Sequence, residues 1–126
     1  MTTESDQPPQ AMRVLVAEDD AIVAFDIVKL LLAAGADVVG PAISVQRAIE
    51  LAETDTVDCA ILDIKFGDGL IFPAALLLRR KGARIIFYTA YADLESLSRD
   101  WPEALIVAKP NPPERLLQSV KLTANN

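Results

Sequence analysis

The sequence predicts an α/β domain: a five-stranded parallel sheet with helices on both faces and right-handed crossovers. Three observations predict it. From Met12 onward, short apolar or β-branched runs alternate with amphipathic helical spacings. The runs lack polar alternation, as strands covered on both faces require. Turn and capping signals separate each element from the next.

The first strand is Val14-Leu15-Val16-Ala17, which stops at Glu18-Asp19-Asp20. Val23, Ile27, Leu30, Leu31 and Ala34 then follow helical spacing, with Gly35 suited to the residue just past the helix end. Val38-Val39 form a short second strand, and Ser44 caps a second helix striped by Val45, Ala48, Ile49 and Ala52. Cys59 to Leu62 form the third strand, ending at Asp63. After a loop from Lys65 to Gly69, a third helix has Pro73 near its first turn and Arg79, Arg80, Lys81 then Gly82 at its end. Arg84 to Tyr88 make the fourth strand, ending at Thr89; a weaker helix runs from Asp93 to Arg99 and closes at Trp101-Pro102. Leu105 to Ala108 form the fifth strand, ending at Lys109-Pro110, and the last helix takes Asn111 as cap and Pro112 as its first residue.

The 126 residues suit one domain, expected over 12–126, with residues 1–11 a polar flexible tail and no output domain after it. A composition of 52% hydrophobic and 24% charged residues is that of a folding chain. Eighteen acidic against twelve basic side chains give a net charge of −6, which argues against nucleic-acid or anionic-membrane partners. Cys59 is the lone cysteine, compatible with a cytoplasmic, reducing setting. Histidine is absent, so Ser-His or Cys-His catalysis, His-ligated metals and a phosphohistidine on this chain are excluded. The longest apolar run, Leu70 to Leu78, is about half of the ~20 residues of a membrane span.

The polar residues cluster at strand ends. Glu18 and Asp19 follow strand one, Asp63 strand three, Thr89 strand four and Lys109 strand five, and in a parallel sheet those ends share the edge where ligands bind. Three carboxylates there suit Mg²⁺, which takes few protein oxygens and keeps its waters. Asp63 suits a nucleophile forming an acyl phosphate, with Lys109 and Thr89 serving the phosphoryl oxygens. Each residue also has a plainer reading: the acids favour the start of the first helix, Asp20 above all, and Asp63 suits a turn.

The segments VLVAEDDA (14–21), AILDIKFGDG (60–69), FYTAYAD (87–93) and VAKPNPPERL (107–116) together resemble the receiver, or response regulator, family of two-component signalling. The resemblance implies a flavodoxin-like sheet of order 2-1-3-4-5, Asp63 as phosphoacceptor and Mg²⁺ as cofactor. It implies that Asp19 binds the metal directly, Glu18 through water, and the Lys65 backbone carbonyl completes the shell. Thr89 is then the switch hydroxyl, and Lys109 the motif lysine with a cis bond to Pro110. It further implies a signalling domain, not an enzyme for a separate substrate, that catalyses its own phosphorylation and dephosphorylation. The phosphoryl donor is a histidine kinase or phosphotransfer protein, reached at the first helix and the loop after strand five, and an unidentified protein lies downstream. Two departures stand out: Ile106 occupies the usual switch-aromatic position, and Lys65 sits beside the acceptor. The FYTAYAD segment resembles a receiver subgroup with a Phe-Ala-Thr-Gly-Tyr-type motif, which offers Tyr91 as an alternative switch; the plainer role is packing. Trp101 lies near the face through which receivers signal, or simply anchors its loop. Phe25, Val28 and Leu32 form a second apolar set on helix one, either a partner surface or further burial.

The rival from another class is a small aspartyl-phosphate phosphatase of haloacid dehalogenase type. That family places an acid two residues past its nucleophile, where this chain has Lys65. A flavin binder needs a phosphate-cradling loop where Glu18-Asp19-Asp20 stand, and no GxxxxGK[ST] phosphate loop is present.

Overall fold

The computed structural model describes residues 12–124; the predicted tail, residues 1–11, lies outside the described residues. The elements run β1 (Arg13–Ala17), α1 (Ala21–Ala33), β2 (Asp37–Ala42), α2 (Val45–Thr54), β3 (Cys59–Leu62), β4 (Lys65–Phe66), β5 (Gly69–Leu70), α3 (Phe72–Arg80), β6 (Arg84–Thr89), α4 (Leu94–Asp100), β7 (Leu105–Ala108) and α5 (Pro113–Ala124). The main sheet has the order β2-β1-β3-β6-β7, with every pairing parallel. Setting aside the small β4–β5 hairpin, this is the flavodoxin-like 2-1-3-4-5 order.

Strand alternation sorts the core into two layers. Leu15, Ala17, Ala60, Leu62, Ile85 and Phe87 face Ala48, Leu51, Ala74, Leu78 and Leu97 of α2, α3 and α4. Val14, Val16, Cys59, Ile61, Ile86 and Tyr88 face Ile27 and Leu31 of α1 and Leu116 and Val120 of α5. Each large aliphatic side chain so buried contributes about 1.5–3 kcal/mol. The ends of α1 and α3 share one arrangement. Gly35 and Gly82, both at positive φ, donate to Leu32 and Arg79, and the next residues, Ala36 and Ala83, donate to Leu31 and Leu78.

Three expectations need correction. Strand two extends to Ala42 because Gly40-Pro41 forms a bulge: Leu15 pairs with Val39, but Ala17 pairs with Ala42. Gly40 has φ +101, and a Cβ there would meet Ala42 N at 2.8 Å and Val16 O at 3.1 Å, so glycine is required. The predicted 65–69 loop is the antiparallel β4–β5 hairpin, with Lys65 opposite Leu70 and Phe66 opposite Gly69. The last helix begins one residue later than predicted, at Pro113, because the Asn111 amide donates to the Ala108 carbonyl instead of capping the helix. No helix among the described residues is long and apolar enough to cross a membrane.

Candidate functional site

Hydrogen bonds at the strand ends bring the polar residues together. The Asp63 N–H donates to Ala17 O at 2.9 Å and the Lys109 N–H to Thr89 O at 2.9 Å. The β2 bulge adds a third restraint: the Glu18 N–H donates to Ala42 O at 2.9 Å. Glu18, Asp63 and Thr89 are buried, whereas Asp19 is exposed.

Lys109 bridges two acids. Its Nζ lies 2.8 Å from Glu18 Oε1 and 2.9 Å from Asp63 Oδ2, and 5.3 Å from the centre of the Tyr88 ring. Glu18 Oε2 accepts the Asp20 N–H at 3.1 Å, and Asp63 Oδ1 accepts the Ile64 N–H at 2.7 Å. Burial pushes the Glu18 carboxyl up to about 7, with the neighbouring Asp63 charge adding to the rise, against the pull of Lys109 and the Asp20 N–H. Burial also pulls on the Lys109 ammonium, but its bonds to Glu18 and Asp63 outweigh that and hold it above its ordinary value. Lys109 thus remains a cation between the two acids.

Carboxylate oxygens of Glu18, Asp19 and Asp63 lie within 4.8 Å of one another. An oxygen-only donor set of this density fits a hard divalent cation, since unscreened carboxylates at that spacing repel. Asp20 does not join them. Its carboxylate caps α1, accepting from the Ile22 and Val23 N–H groups at 3.0 and 3.2 Å. Lys65 is exposed, with Nζ 5.9 Å from the centre of the Tyr91 ring.

Thr89 Oγ1 accepts the Tyr91 N–H at 3.0 Å, which leaves the hydroxyl proton free to donate elsewhere. The Tyr91 ring meets Phe72 edge-on at 6.3 Å, Phe72 stacks on Trp101 at 6.2 Å, and Phe87 meets Trp101 edge-on at 5.4 Å. Trp101 is therefore part of the core, with the Arg79 guanidinium 4.0 Å from its ring centre. Ile106 is partly buried against the same layer. The Lys109–Pro110 peptide is cis, as is Gly40–Pro41. A groove lined by Arg79, Arg84, Trp101 and Glu103 lies at the opposite, N-terminal ends of the strands and shares no residue with the carboxylates.

On α1, Phe25 and Leu32 are exposed as the apolar set requires, but Val28 packs partly into the core and Ile22, 76% exposed, takes its place. Sequence reasoning also missed Ala42, whose contact arises from the bulge. It missed Asp68 too, whose carboxylate accepts the Val45 and Gln46 N–H groups at the start of α2.

The family described as Response regulator receiver domain matches residues 14–121. A transcriptional regulatory protein of Mycobacterium tuberculosis, PdtaR, is 33% identical over 117 residues, covering 90% of this chain and 57% of that protein. The chain thus spans little more than half of that curated relative. Among solved structures, a response regulator receiver protein from Sinorhizobium medicae has a TM-score of 0.82 at 28% identity, over 91% of this chain and 95% of that one. The Thermotoga maritima response regulator TrrA, solved in complex with Mg(2+)-BeF, has a TM-score of 0.76 at 25% identity, over 89% and 98% of the two chains. With strand ends, acidic cluster and bridging lysine all in the matched span, the chain belongs to the response regulator receiver domain family.

Proposed function

We propose that this chain accepts a phosphoryl group on Asp63 from a histidine kinase or histidine phosphotransfer protein, in the cytoplasm and with Mg²⁺ as cofactor. It then signals through a phosphorylation-sensitive protein-binding surface, or acts as a phosphate shuttle or sink. The observation that carries this reading is the grip of Lys109 on both Glu18 and Asp63 beside the cluster of three carboxylates. The cluster would hold the ion through Asp19, Asp63 and the Lys65 carbonyl, with Glu18 acting through water. When bound, the ion neutralises charge on the phosphoryl oxygens.

The chain's own residues do the rest. An Asp63 oxygen forms the new P–O bond as the donor's P–N bond breaks, and that electron pair leaves with the donor imidazole. Lys109, already beside Asp63, pairs with a phosphoryl oxygen in the product. The Thr89 hydroxyl donates to another, and its movement is transmitted to Tyr91 through their shared hydrogen bond. Tyr91 thereby takes the switching part that Ile106 cannot. Because the site lies within this domain, it catalyses its own phosphorylation and dephosphorylation. The haloacid dehalogenase alternative is not supported by the comparisons, and position 65 offers an ammonium instead of a carboxyl.

The test is incubation with acetyl phosphate and MgCl₂ followed by intact mass, for the wild type and Asp63→Asn. A Mg²⁺-dependent gain of one acid-stable, base-labile phosphoryl group, lost in Asp63→Asn, is expected. Catalytic phosphate release with no lasting adduct would favour the phosphatase instead.

A further inference from the structure

The β4–β5 hairpin has only two facing residue pairs, too few to be stable alone. Two side chains fasten it. Phe66 is buried in the core layer beneath α2 and α3. Asp68, at the exposed tip, reaches the first turn of α2: Oδ1 accepts the Val45 N–H at 2.9 Å and Oδ2 the Gln46 N–H at 3.1 Å. Ser44 Oγ takes the next free donor, the Arg47 N–H, at 3.1 Å. Those bonds hold the Asp68 carboxyl below its ordinary range. α2 is thus capped locally by Ser44, at the Arg47 N–H, and from a distant loop by Asp68, at the Val45 and Gln46 N–H groups.

Both segments joined by Asp68 lead to the carboxylate cluster. On the hairpin side, Asp68 lies five residues past Asp63 and three past Lys65, and the Ile71 N–H closes the base of the hairpin on Ile64 O at 2.9 Å. On the helix side, Ala42 stands three residues before Val45, and its carbonyl holds the Glu18 N–H at 2.9 Å. We propose that Asp68 is a positioning residue for the divalent cation: it fixes the Asp63–Lys65 arm against the β2–α2 corner that holds Glu18. The proposal rests on the Mg²⁺ reading above. An octahedral ion tolerates little displacement of its oxygen ligands, so an untethered hairpin binds it more weakly while the fold persists.

The test is a titration of wild type, Asp68→Ala, Asp68→Asn and Ser44→Ala with MgCl₂, followed by amide NMR shifts in about 0.3 M KCl, where the lost surface charge is screened. Asp68→Ala is expected to weaken Mg²⁺ roughly tenfold, as supporting-ligand losses typically do. Asp68→Asn, with one acceptor oxygen left, is expected to fall between it and the wild type. Ser44→Ala loosens the same helix end without touching the hairpin, so its affinity stays at the wild-type value. Unchanged affinity in Asp68→Ala, or an equal loss in Ser44→Ala, overturns the proposal. If Asp68→Ala does not fold, Asp68→Asn decides: wild-type affinity there also overturns it. A wild type that binds no Mg²⁺ is seen before any variant is compared, and it overturns the metal reading and this proposal together.

Discussion

Replacing Glu18 with glutamine isolates the most perturbed acid of the site. The carboxyl is 2% exposed, and burial pushes it from an ordinary 4.5 up to about 7. The folded chain therefore binds that proton more tightly than the unfolded chain does. The sign follows: the contribution to stability is full below pH 4.5, falls as pH rises between the two values, and levels off above about 7. The gap between the values, at about 1.4 kcal/mol per pH unit, amounts to about 3 kcal/mol. Asp68, shifted the other way, acts only below its ordinary 3.8 and does not overlap this window. Urea denaturation in EDTA from pH 4.5 to 8 reads the effect directly. Wild type should lose stability across the window, and Glu18→Gln should be nearly flat. The glutamine cannot accept from both Lys109 and the Asp20 N–H, so it carries a pH-independent cost of about 1 kcal/mol. Wild-type stability that is flat or rises from pH 4.5 to 7, or a Glu18→Gln curve with the wild-type slope, would refute the burial argument.

Gly40→Ala forces a side chain to φ +101 and against Ala42 N and Val16 O; a loss of at least about 2 kcal/mol in urea denaturation is expected. Trp101→Ala removes the buried ring that packs against both Phe72 and Phe87, and should cost about 3–5 kcal/mol by the same measurement. Lys65→Ala removes a cation two residues past the acceptor but keeps the backbone carbonyl. It should change the lifetime of the acyl phosphate, followed by intact mass, more than the Mg²⁺ affinity, and equal effects on both would count against a role for the side chain.

What could be read from the sequence was what is written locally. Apolar runs of four residues ending in acid, threonine or lysine fix both the strands and the edge at which Glu18, Asp63, Thr89 and Lys109 meet. Gly35 and Gly82 mark helix ends because the motif they close lies within six consecutive residues. The features that escaped are non-local or break a period. Gly40-Pro41 interrupts the apolar pattern after Val38-Val39, although the chain resumes pairing at Ala42. The β4–β5 hairpin is too short to show a period of two. Asp68 caps a helix more than twenty residues away, and no spacing rule reports such a contact. Val28, expected on the outer apolar set of α1, packs partly into the core because the buried stripe of α1 also has to meet α5, a packing choice invisible in one helix.

Asp63 as the point of phosphoryl attachment is the central claim, and chemical trapping tests it most directly. After treatment with acetyl phosphate and MgCl₂, borohydride reduces an aspartyl phosphate to homoserine, which peptide mass mapping locates. The account predicts homoserine at position 63, dependent on Mg²⁺. Homoserine at another aspartate, or at none while the chain is folded and Mg²⁺ is present, would contradict it.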